Sequence, residues 1–382
     1  MSASRITSAH VAAWRMSRQG LLRRAGKEDW LDTVRRIGGL HAQVMSAAEL
    51  SVWARADGVS PDDVKRALWE DRTLVKTWAM RGTLHLLPAD ELPTTVAALR
   101  ETVSTFYRKP SWLNVHGITL EQLDAVIEGI RRSLGEEPLT REQLADALVA
   151  HTGQEKLREL LQSGWGSLLK PAAHEGALLF GPSQGQNVTF VRPDRWLPRW
   201  TSPSVSPEEA VRGAVRRYLS VYGPATYEDF GRWWGVDVSK AKRLFRSLDD
   251  ELVSVRVDGR EGWMLRDDAP SLEAASVPDG TVRLLPHFDP YTVSMSHRTQ
   301  HVLAEPYKPL VYRNQGWIYP VVLVGTRMAG IWETEKKRGQ IELKVEWFEP
   351  PKGKQAAATR AGLEEEASRL AAFFDADIVM RG

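Results

Sequence analysis

The segment GGLHAQVMSA, residues 38–47, places a histidine and a glutamine two residues apart, at His41 and Gln43, just after a glycine pair. In a regular helix, side chains two residues apart point about 200° away from each other. In an extended segment they lie on the same side. Gly38 and Gly39 break the preceding helical pattern and favour the extended or irregular alternative. The spacing therefore predicts that His41 and Gln43 can jointly hold one small group, such as a water molecule. The alternative is that both side chains cap backbone groups near a helix start.

The composition is typical of a soluble globular protein. Of the 382 residues, 42% are hydrophobic and 26% are charged, and a chain of this length is expected to form several domains or a tandem array. The absence of cysteine excludes disulfides and thiolate metal sites. No apolar run has membrane-spanning length, and the N-terminal segment lacks the continuous apolar core of a secretory signal, so we expect a cytoplasmic protein.

The net charge and the number of tryptophans indicate which kinds of molecule the protein could bind. The net charge of +2 is close to neutral, so a nucleic-acid surface would have to come from local clustering of basic residues. The chain has fifteen tryptophans, most of them expected in the core and a few available for stacking or for use as wedges.

Capping motifs predict several helix N-termini along the chain. A Ser or Thr followed three residues later by an acid or Gln predicts a capped helix N-terminus. This pattern occurs in SPDD at 60–63, TLEQ at 119–122, TREQ at 140–143, SPEE at 206–209 and TYED at 226–229.

The segment 218–265 has the clearest organisation. A short helix follows TYED, GVDVS forms a turn, and the helix SKAKRLFRSL has apolar residues at i, i+3, i+4 and i+7. LVSVRV then alternates, Asp258 and Gly259 signal a hairpin, and GWML returns. Helix, turn, helix and two-stranded hairpin together predict a winged helix, a module that mostly binds DNA. A helical pair with an incidental hairpin is the alternative.

The same plan recurs less cleanly from Ser60 and from Thr140, whereas residues 280–350 are strand-like and a final helix is expected over 356–374. We therefore predict an α+β fold with three tandem winged-helix units around a concave DNA-binding channel and a β-rich C-terminal part. The predicted segments are 1–110 with the HAQ motif, 111–200 and 201–272 for the second and third units, and 273–382 for the β-rich part and terminal helix.

Other motifs point to no cofactor. His297 and His301 are four residues apart but have no obvious third ligand, so we predict no metal site. A Walker loop, a dinucleotide fingerprint and a nucleophile elbow are absent from the sequence. The basic cluster Lys336, Lys337 and Arg338 is followed by a glycine and indicates a hairpin tip that could contact phosphates or enter a groove. A solvated turn is the alternative for that cluster.

Several further polar residues lie in strand-like surroundings. Arg81 and His85 are four residues apart in MRGTLHLL, so on a strand they would share one face. Taken singly, Arg81 would pair with a carboxylate and His85 would be a satisfied core histidine. The remaining candidates are Asp289, Arg313, Asn314 and Gln315.

Four segments carry a resemblance to a known family. They are GGLHAQ near residue 40, TWAMRGTLHLLPADEL at 77–92, LLPHFDPYTVSMSHR at 284–298 and YRNQGWIYPVVLVG at 312–325. Their order and spacing resemble the winged-helix DNA glycosylases of the azinomycin-resistance type, found in bacteria that make DNA-alkylating antibiotics. The resemblance covers nearly the whole chain.

The resemblance implies three tandem winged helices around a basic, duplex-sized channel, and hydrolysis of the N-glycosidic bond of alkylated purines, including bulky N7-guanine adducts and crosslinks. It also implies a catalytic triplet of Gln, any residue and Gln, which another branch ends with Asp. The second position is Gln43, and the first is replaced by His41. We predict DNA contacts at Arg81, His85, Arg313, Asn314, Gln315, Lys336, Lys337 and Arg338.

The chemistry suits such a pair. N7 alkylation makes guanine a cation and a good leaving group, so the enzyme's task is to place water beside C1′ of an oxocarbenium-like transition state. An amide can orient water, whereas a neutral imidazole can also accept its proton. If His41 is the base, activity should fall as pH drops through the titration of its ring.

We therefore expect a monomeric, cofactor-free, monofunctional DNA glycosylase acting on double-stranded DNA with alkylated purines, in base excision repair and self-resistance to an alkylating toxin. It would be nucleoid-associated and would not contact membranes. The alternatives are a non-catalytic winged-helix regulator and a protein that sequesters lesions without cleaving them.

Overall fold

The computed structural model describes residues 6–162, 166–201, 205–295, 301–337 and 339–381. Its helices are α1 (Ser8–Arg18), α2 (Trp30–Ile37), α3 (Met45–Trp53), α4 (Pro61–Trp69), α5 (Leu92–Glu101), α6 (Ser104–Tyr107), α7 (Pro110–His116), α8 (Leu120–Ser133), α9 (Arg141–Thr152), α10 (Lys156–Gln162), α11 (Leu169–His174), α12 (Pro193–Trp196), α13 (Pro207–Tyr222), α14 (Tyr227–Trp234), α15 (Val238–Arg246), α16 (Ala269–Glu273), α17 (Pro290–Met295), α18 (Lys308–Val311) and α19 (Lys354–Phe374).

The strands are β1 (Leu40–His41), β2 (Leu74–Trp78), β3 (Leu84–Pro88), β4 (Leu139–Thr140), β5 (Leu179–Gln184), β6 (Asn187–Val191), β7 (Leu252–Val257), β8 (Arg260–Leu265), β9 (Val282–Leu285), β10 (Val321–Val324), β11 (Arg327–Lys337), β12 (Gln340–Trp347) and β13 (Asp377–Arg381). The fold is therefore a mixture of helices and antiparallel sheet, as the sequence predicted for its class.

The chain divides into two compact units. The first unit comprises 1–64, 216–226 and 249–382, and the second comprises 65–215 and 227–248. The chain therefore passes between the units several times. The four segments drawn from the sequence remain a prediction about winged-helix boundaries.

The first unit is built on a five-stranded sheet in the order β13-β12-β11-β10-β9. Neighbouring strands are antiparallel except β12 and β13, which are parallel. Helix α19 lies against β9, and its buried Ala367, Leu370 and Phe373 join the core of this sheet. Helices α1 and α3 contribute Met16 and Trp53 to the same core. This core supports the segment that carries His41 and Gln43.

The β7–β8 hairpin forms a smaller layer of the first unit. Asp258 and Gly259 at its turn both have positive φ, 46° and 82°, which is the conformation that an Asp-Gly hairpin turn requires. Trp14 of α1 belongs to the cluster that includes Met264 of β8, and its indole N–H donates to Ser271 Oγ at 2.8 Å. The predicted hairpin is confirmed.

The second unit combines short sheets with helices. β2 pairs antiparallel with β3, and β4, β6 and β5 form a three-stranded sheet. The core is supplied mainly by α8 to α11, with Leu123, Leu144 and Leu148 fully buried. Capping boxes at Thr119 and Thr140 begin α8 and α9 as predicted.

Two sequence predictions about strands were wrong. PHFDPYTVSM contains a helix, α17, because the Asp289 carboxylate accepts the backbone N–H of Tyr291 at 2.9 Å and Pro290 is well suited to a first helical turn. The segment before β10 forms α18 and a tight turn over Asn314–Gly316 instead of a strand. Strand β13 was not predicted from the sequence.

Burial of His174 predicts an acid-sensitive second unit. Desolvation lowers the pKa of this fully buried imidazole from 6.5 to about 4, although its Nε2 hydrogen bond with the Ala79 carbonyl at 3.1 Å opposes that shift. In the unfolded chain the ring binds a proton at higher pH, so the stabilisation is complete above pH 6.5 and is lost as pH falls through about 4. The loss should amount to about 3 kcal/mol.

Urea denaturation between pH 7 and pH 4 measures this effect. His174→Gln should flatten the acid limb of the stability curve, whereas His151→Gln, at an exposed histidine of the same unit, should leave it unchanged. Parallel curves for wild type and His174→Gln would contradict the assignment.

Candidate active site

A sharp chain reversal presents His41 and Gln43. Helix α2 ends at Gly38, and both Gly38 and Gly39 have positive φ, 79° and 102°, which glycine adopts without steric cost. The chain is then extended over Leu40–His41 and bends at Gln43 before α3. Leu40 and Ala42 are fully buried, whereas His41 is half-buried and Gln43 is exposed. The alternation of buried and accessible residues over 40–43 supports the prediction that His41 and Gln43 share a side.

The His41 ring is held by an aromatic stack. It lies against Phe288 with ring centroids 4.6 Å apart and planes inclined by 23°, and its Nδ1 atom is buried. Phe288 itself has a φ of 55°, a left-handed conformation that is unusual for a bulky residue. Such strain persists only where the surroundings enforce it, and it clusters at functional sites.

A buried ion pair lies directly beside Phe288. Arg55, just after α3, donates to both carboxylate oxygens of Asp289, at 2.6 and 2.8 Å, and the two side chains are 1% and 0% exposed. Arg55 also donates to the Ser51 carbonyl at 3.0 Å. The pair ties the end of α3, the helix that follows Gln43, to the turn that carries Phe288.

A second histidine lies next to the stack. His287 Nδ1 is 3.0 Å from the Ile318 carbonyl, an arrangement in which Nδ1–H donates and Nε2 carries the lone pair. Burial lowers the pKa of His287; the hydrogen bond to Ile318 opposes this, and the charge of Arg313 adds to it. A neutral His287 near pH 7 follows.

The predicted residues Arg313, Asn314 and Gln315 lie on an exposed turn of the same unit. Arg313 N–H donates to the Trp317 carbonyl at 2.8 Å, and Gln315 has a φ of 60° at the tip. The Arg313 guanidinium lies over the Tyr319 ring at 3.5 Å. Trp317 contacts Phe288 edge to face at 4.9 Å, so this turn and His41 share one phenyl ring.

Arg81 and His85 belong to the second unit. Arg81 is in the tight turn before β3 and not on a strand, with a φ of 58°, which corrects the prediction of a shared strand. Its guanidinium donates to the Trp233 carbonyl and lies 3.5 Å from His85 Nε2. His85 is 3% exposed and its Nδ1 lies 2.9 Å from the Thr83 carbonyl. His85 is therefore placed to support Arg81 from the interior, and its direct contact with DNA stays a prediction.

The predicted basic cluster lies at the end of the β11–β12 hairpin, as expected. Lys336 and Lys337 are exposed, and Arg338 lies outside the described residues. Lys337 Nζ is 2.7 Å from Glu342 and 3.7 Å from Glu335, which raises the pKa of its ammonium group. Much of the positive charge of Lys337 is thus balanced within the hairpin.

The structure offers no support for a metal centre among the residues it describes. There, no three His, Asp or Glu side chains form a potential metal cluster. His301 lies 3.8 Å from Asp258, and His297 is outside the described residues. No helix in the described part of the chain is long and apolar enough to cross a membrane.

Sequence reasoning missed the aromatic residues of this site. His287, Phe288, Trp317 and Tyr319 all occur in the two C-terminal segments that carry the family resemblance, yet their types predict only core packing. The available signal was an aromatic residue beside a glycine turn, in GWIY.

Comparison with known proteins identifies the class. The family model for AlkZ-like DNA glycosylases matches residues 34–373. This range contains His41, Gln43 and the whole aromatic cluster described above. The chain belongs to the AlkZ-like DNA glycosylase family and is a DNA glycosylase.

A curated relative and a solved structure, both from Streptomyces sahachiroi, match most of the chain. An interstrand DNA cross-link repair glycosylase is 39% identical over 326 residues, which are 85% of this chain and 86% of the relative. The solved structure of the DNA glycosylase AlkZ has a TM-score of 0.85 and 34% identity, covering 99% of this chain and 100% of that chain.

Breaking the buried ion pair beside Phe288 should lower the stability of the protein. Asp289→Ala leaves the Arg55 guanidinium buried without its counter-charge, and we expect the free energy of unfolding to fall by about 3–5 kcal/mol. The matched control is Asp57→Ala, since Asp57 is 61% exposed and pairs with Arg369 at 2.9 Å. The control should lose no more than about 1 kcal/mol. Equal losses for both variants in urea denaturation would contradict the role assigned to the buried pair.

Proposed function

We propose that this glycosylase hydrolyses the N-glycosidic bond of cationic alkylated purines in double-stranded DNA, with His41 and Gln43 holding the attacking water. The observation that supports the proposal is the accessibility of His41 and Gln43 on either side of buried Ala42, with the His41 ring stacked on Phe288. The name of the cross-link repair relative supports bulky adducts and crosslinks as substrates. Membership in a glycosylase family weighs against the non-catalytic alternatives.

The reaction needs little from the protein beyond positioning. As the C1′–N9 bond breaks, its electron pair returns to the purine, which neutralises the charge created by N7 alkylation. A water oxygen forms the new bond to C1′, and the water proton passes to a base or to solvent. Because the leaving group needs no protonation, placement and polarisation of that water are the tasks left to the enzyme.

Gln43 and His41 can play different parts in placing and polarising the water. The Gln43 amide both donates and accepts hydrogen bonds, so it can orient water but cannot take its proton. The His41 imidazole can do both when neutral. With Nδ1 buried, we assign Nε2 as the atom that meets the water.

The same proposal assigns DNA contacts. Arg313, Asn314 and Gln315 form an exposed turn beside the site and are suited to the strand near the lesion. Lys336, Lys337 and Arg338 would reach phosphates or a groove from the β11–β12 hairpin, and Arg81 would contribute from the second unit. We further propose that the segments 1–110, 111–200 and 201–272 act as three winged helices lining a channel, with 273–382 as the β-rich part.

The biological role proposed is base excision repair that protects the cell against a DNA-alkylating toxin. The protein would act as a monomer near the nucleoid.

Single-turnover kinetics on a duplex with one N7-methylguanine test the proposal. His41→Ala and Gln43→Ala should each lower the rate of abasic-site formation by about a hundredfold or more, while binding to the lesion duplex changes little. His151→Ala and Gln355→Ala, at exposed residues of the same types, should match wild type. If the wild type binds both this duplex and one with a bulky intercalating N7 adduct, but cleaves neither, the proposal fails.

The pH profile separates the two roles of His41. His41→Gln recreates the Gln-x-Gln pattern and should remain active, because an amide still positions water. The wild-type rate should fall as the imidazole becomes protonated at acidic pH, and the rate of His41→Gln should stay flat there. His287 lies nearby, but it is present in both proteins, so any contribution from its titration is common to the two profiles. Superimposable profiles for the two proteins would exclude His41 as the base and leave it a positioning role.

A further inference from the structure

Trp317 differs from the other tryptophans that the structure describes. Its side chain is 39% exposed, whereas each of the other described tryptophans is buried or only partly exposed. It lies at the end of the exposed turn that begins at Arg313. An indole in water leaves a large apolar surface uncovered, and covering it with a ligand ring is favourable.

The turn holds the indole in a defined position. Tyr312 and Ile318 form a β-bridge, and Tyr319 N–H donates to the Val311 carbonyl at 2.9 Å. Trp317 packs edge to face on Phe288 at 4.9 Å, with the planes 83° apart, and lies 5.5 Å from the His287 ring. The exposed ring is therefore held by backbone and side-chain contacts before any ligand arrives, which lowers the entropic cost of binding.

The same contacts place the indole beside the catalytic pair. The phenyl ring of Phe288 stacks on the imidazole of His41 and contacts the indole of Trp317 edge to face. A single phenyl ring therefore lies between the imidazole and the indole. A nucleotide whose C1′ is near His41 has its base attached to that same carbon. The base is thus within reach of Trp317.

The exposed indole face is suited to a positively charged ring. Indole is the strongest cation–π acceptor among protein side chains. The carboxylate next to Phe288 in the chain, that of Asp289, is buried and paired with Arg55, so it is not available to an incoming base. Arg313 already lies over Tyr319 at 3.5 Å, so that ring is engaged by a cation while the indole remains exposed.

We propose that Trp317 forms the binding surface for the alkylated base, stacking on the cationic purine while His41 and Gln43 hold water at C1′. The inference rests on the proposed function for its substrate class. It adds a residue that selects the lesion by charge. An undamaged guanine presents a neutral ring of nearly the same shape and gains less from the indole.

Binding to two uncleavable duplexes tests the selection by charge. One contains 2′-fluoro-N7-methylguanine, which is cationic, and the other contains 7-methyl-7-deazaguanine, a neutral ring of the same shape. Wild type should prefer the cationic base. Trp317→Leu, which keeps an apolar side chain and removes the π face, should lose roughly fivefold to a hundredfold of affinity for the cationic duplex and most of the preference. Trp317→Phe should recover part of both.

The matched control is Phe106→Ala, because Phe106 is an aromatic residue of the second unit that is 50% exposed. It should keep the wild-type preference, and thermal unfolding should confirm that every variant folds. A Trp317→Leu protein that retains the preference for the cationic duplex would overturn the inference, even if the wild type cleaves N7-methylguanine. A wild type that shows the Trp317-dependent preference but cleaves no lesion would instead overturn the proposed function alone.

Discussion

The buried ion pair between Arg55 and Asp289 is the contact on which the geometry of the site depends. Its two hydrogen bonds, 2.6 and 2.8 Å long, join the helix that follows Gln43 to the turn that carries Phe288. A buried pair costs desolvation energy, and replacing such pairs by apolar residues is often neutral or stabilising. Its value here is therefore better understood as positional. The pair anchors the residue that follows Phe288, whose backbone is left-handed and whose ring stacks on His41.

A rigid support of this kind matters for a reaction that relies on placement. For the proposed substrate, a cationic nucleoside, the leaving group needs no protonation, so the rate would depend on how closely water, C1′ and the departing base are aligned. The imidazole of His41 is constrained by Phe288, and the indole of Trp317 is constrained by the same ring and by its own turn. In this account, recognition of the base and activation of water are linked through Phe288.

Local signals in the sequence predicted much of the fold. Helix caps at Thr119 and Thr140 and the Asp258-Gly259 hairpin were confirmed because each depends on contacts between residues close in the chain. The same logic could have found α17, since Asp289-Pro290 is an N-cap followed by proline. The segment PHFDPYTVSM instead predicts a strand when only its apolar residues are considered. The Arg55–Asp289 pair could not be predicted from the sequence, because its residues are 234 positions apart and no local sequence pattern links them.

We propose that His41 and Gln43 hold one water molecule together, and a double-mutant cycle on the single-turnover rate measures whether they do. If both side chains bind the same water, either alanine substitution removes it. His41→Ala/Gln43→Ala should then be about as slow as the slower single variant. If the two losses multiply, the residues act independently, and the account of a shared water is contradicted.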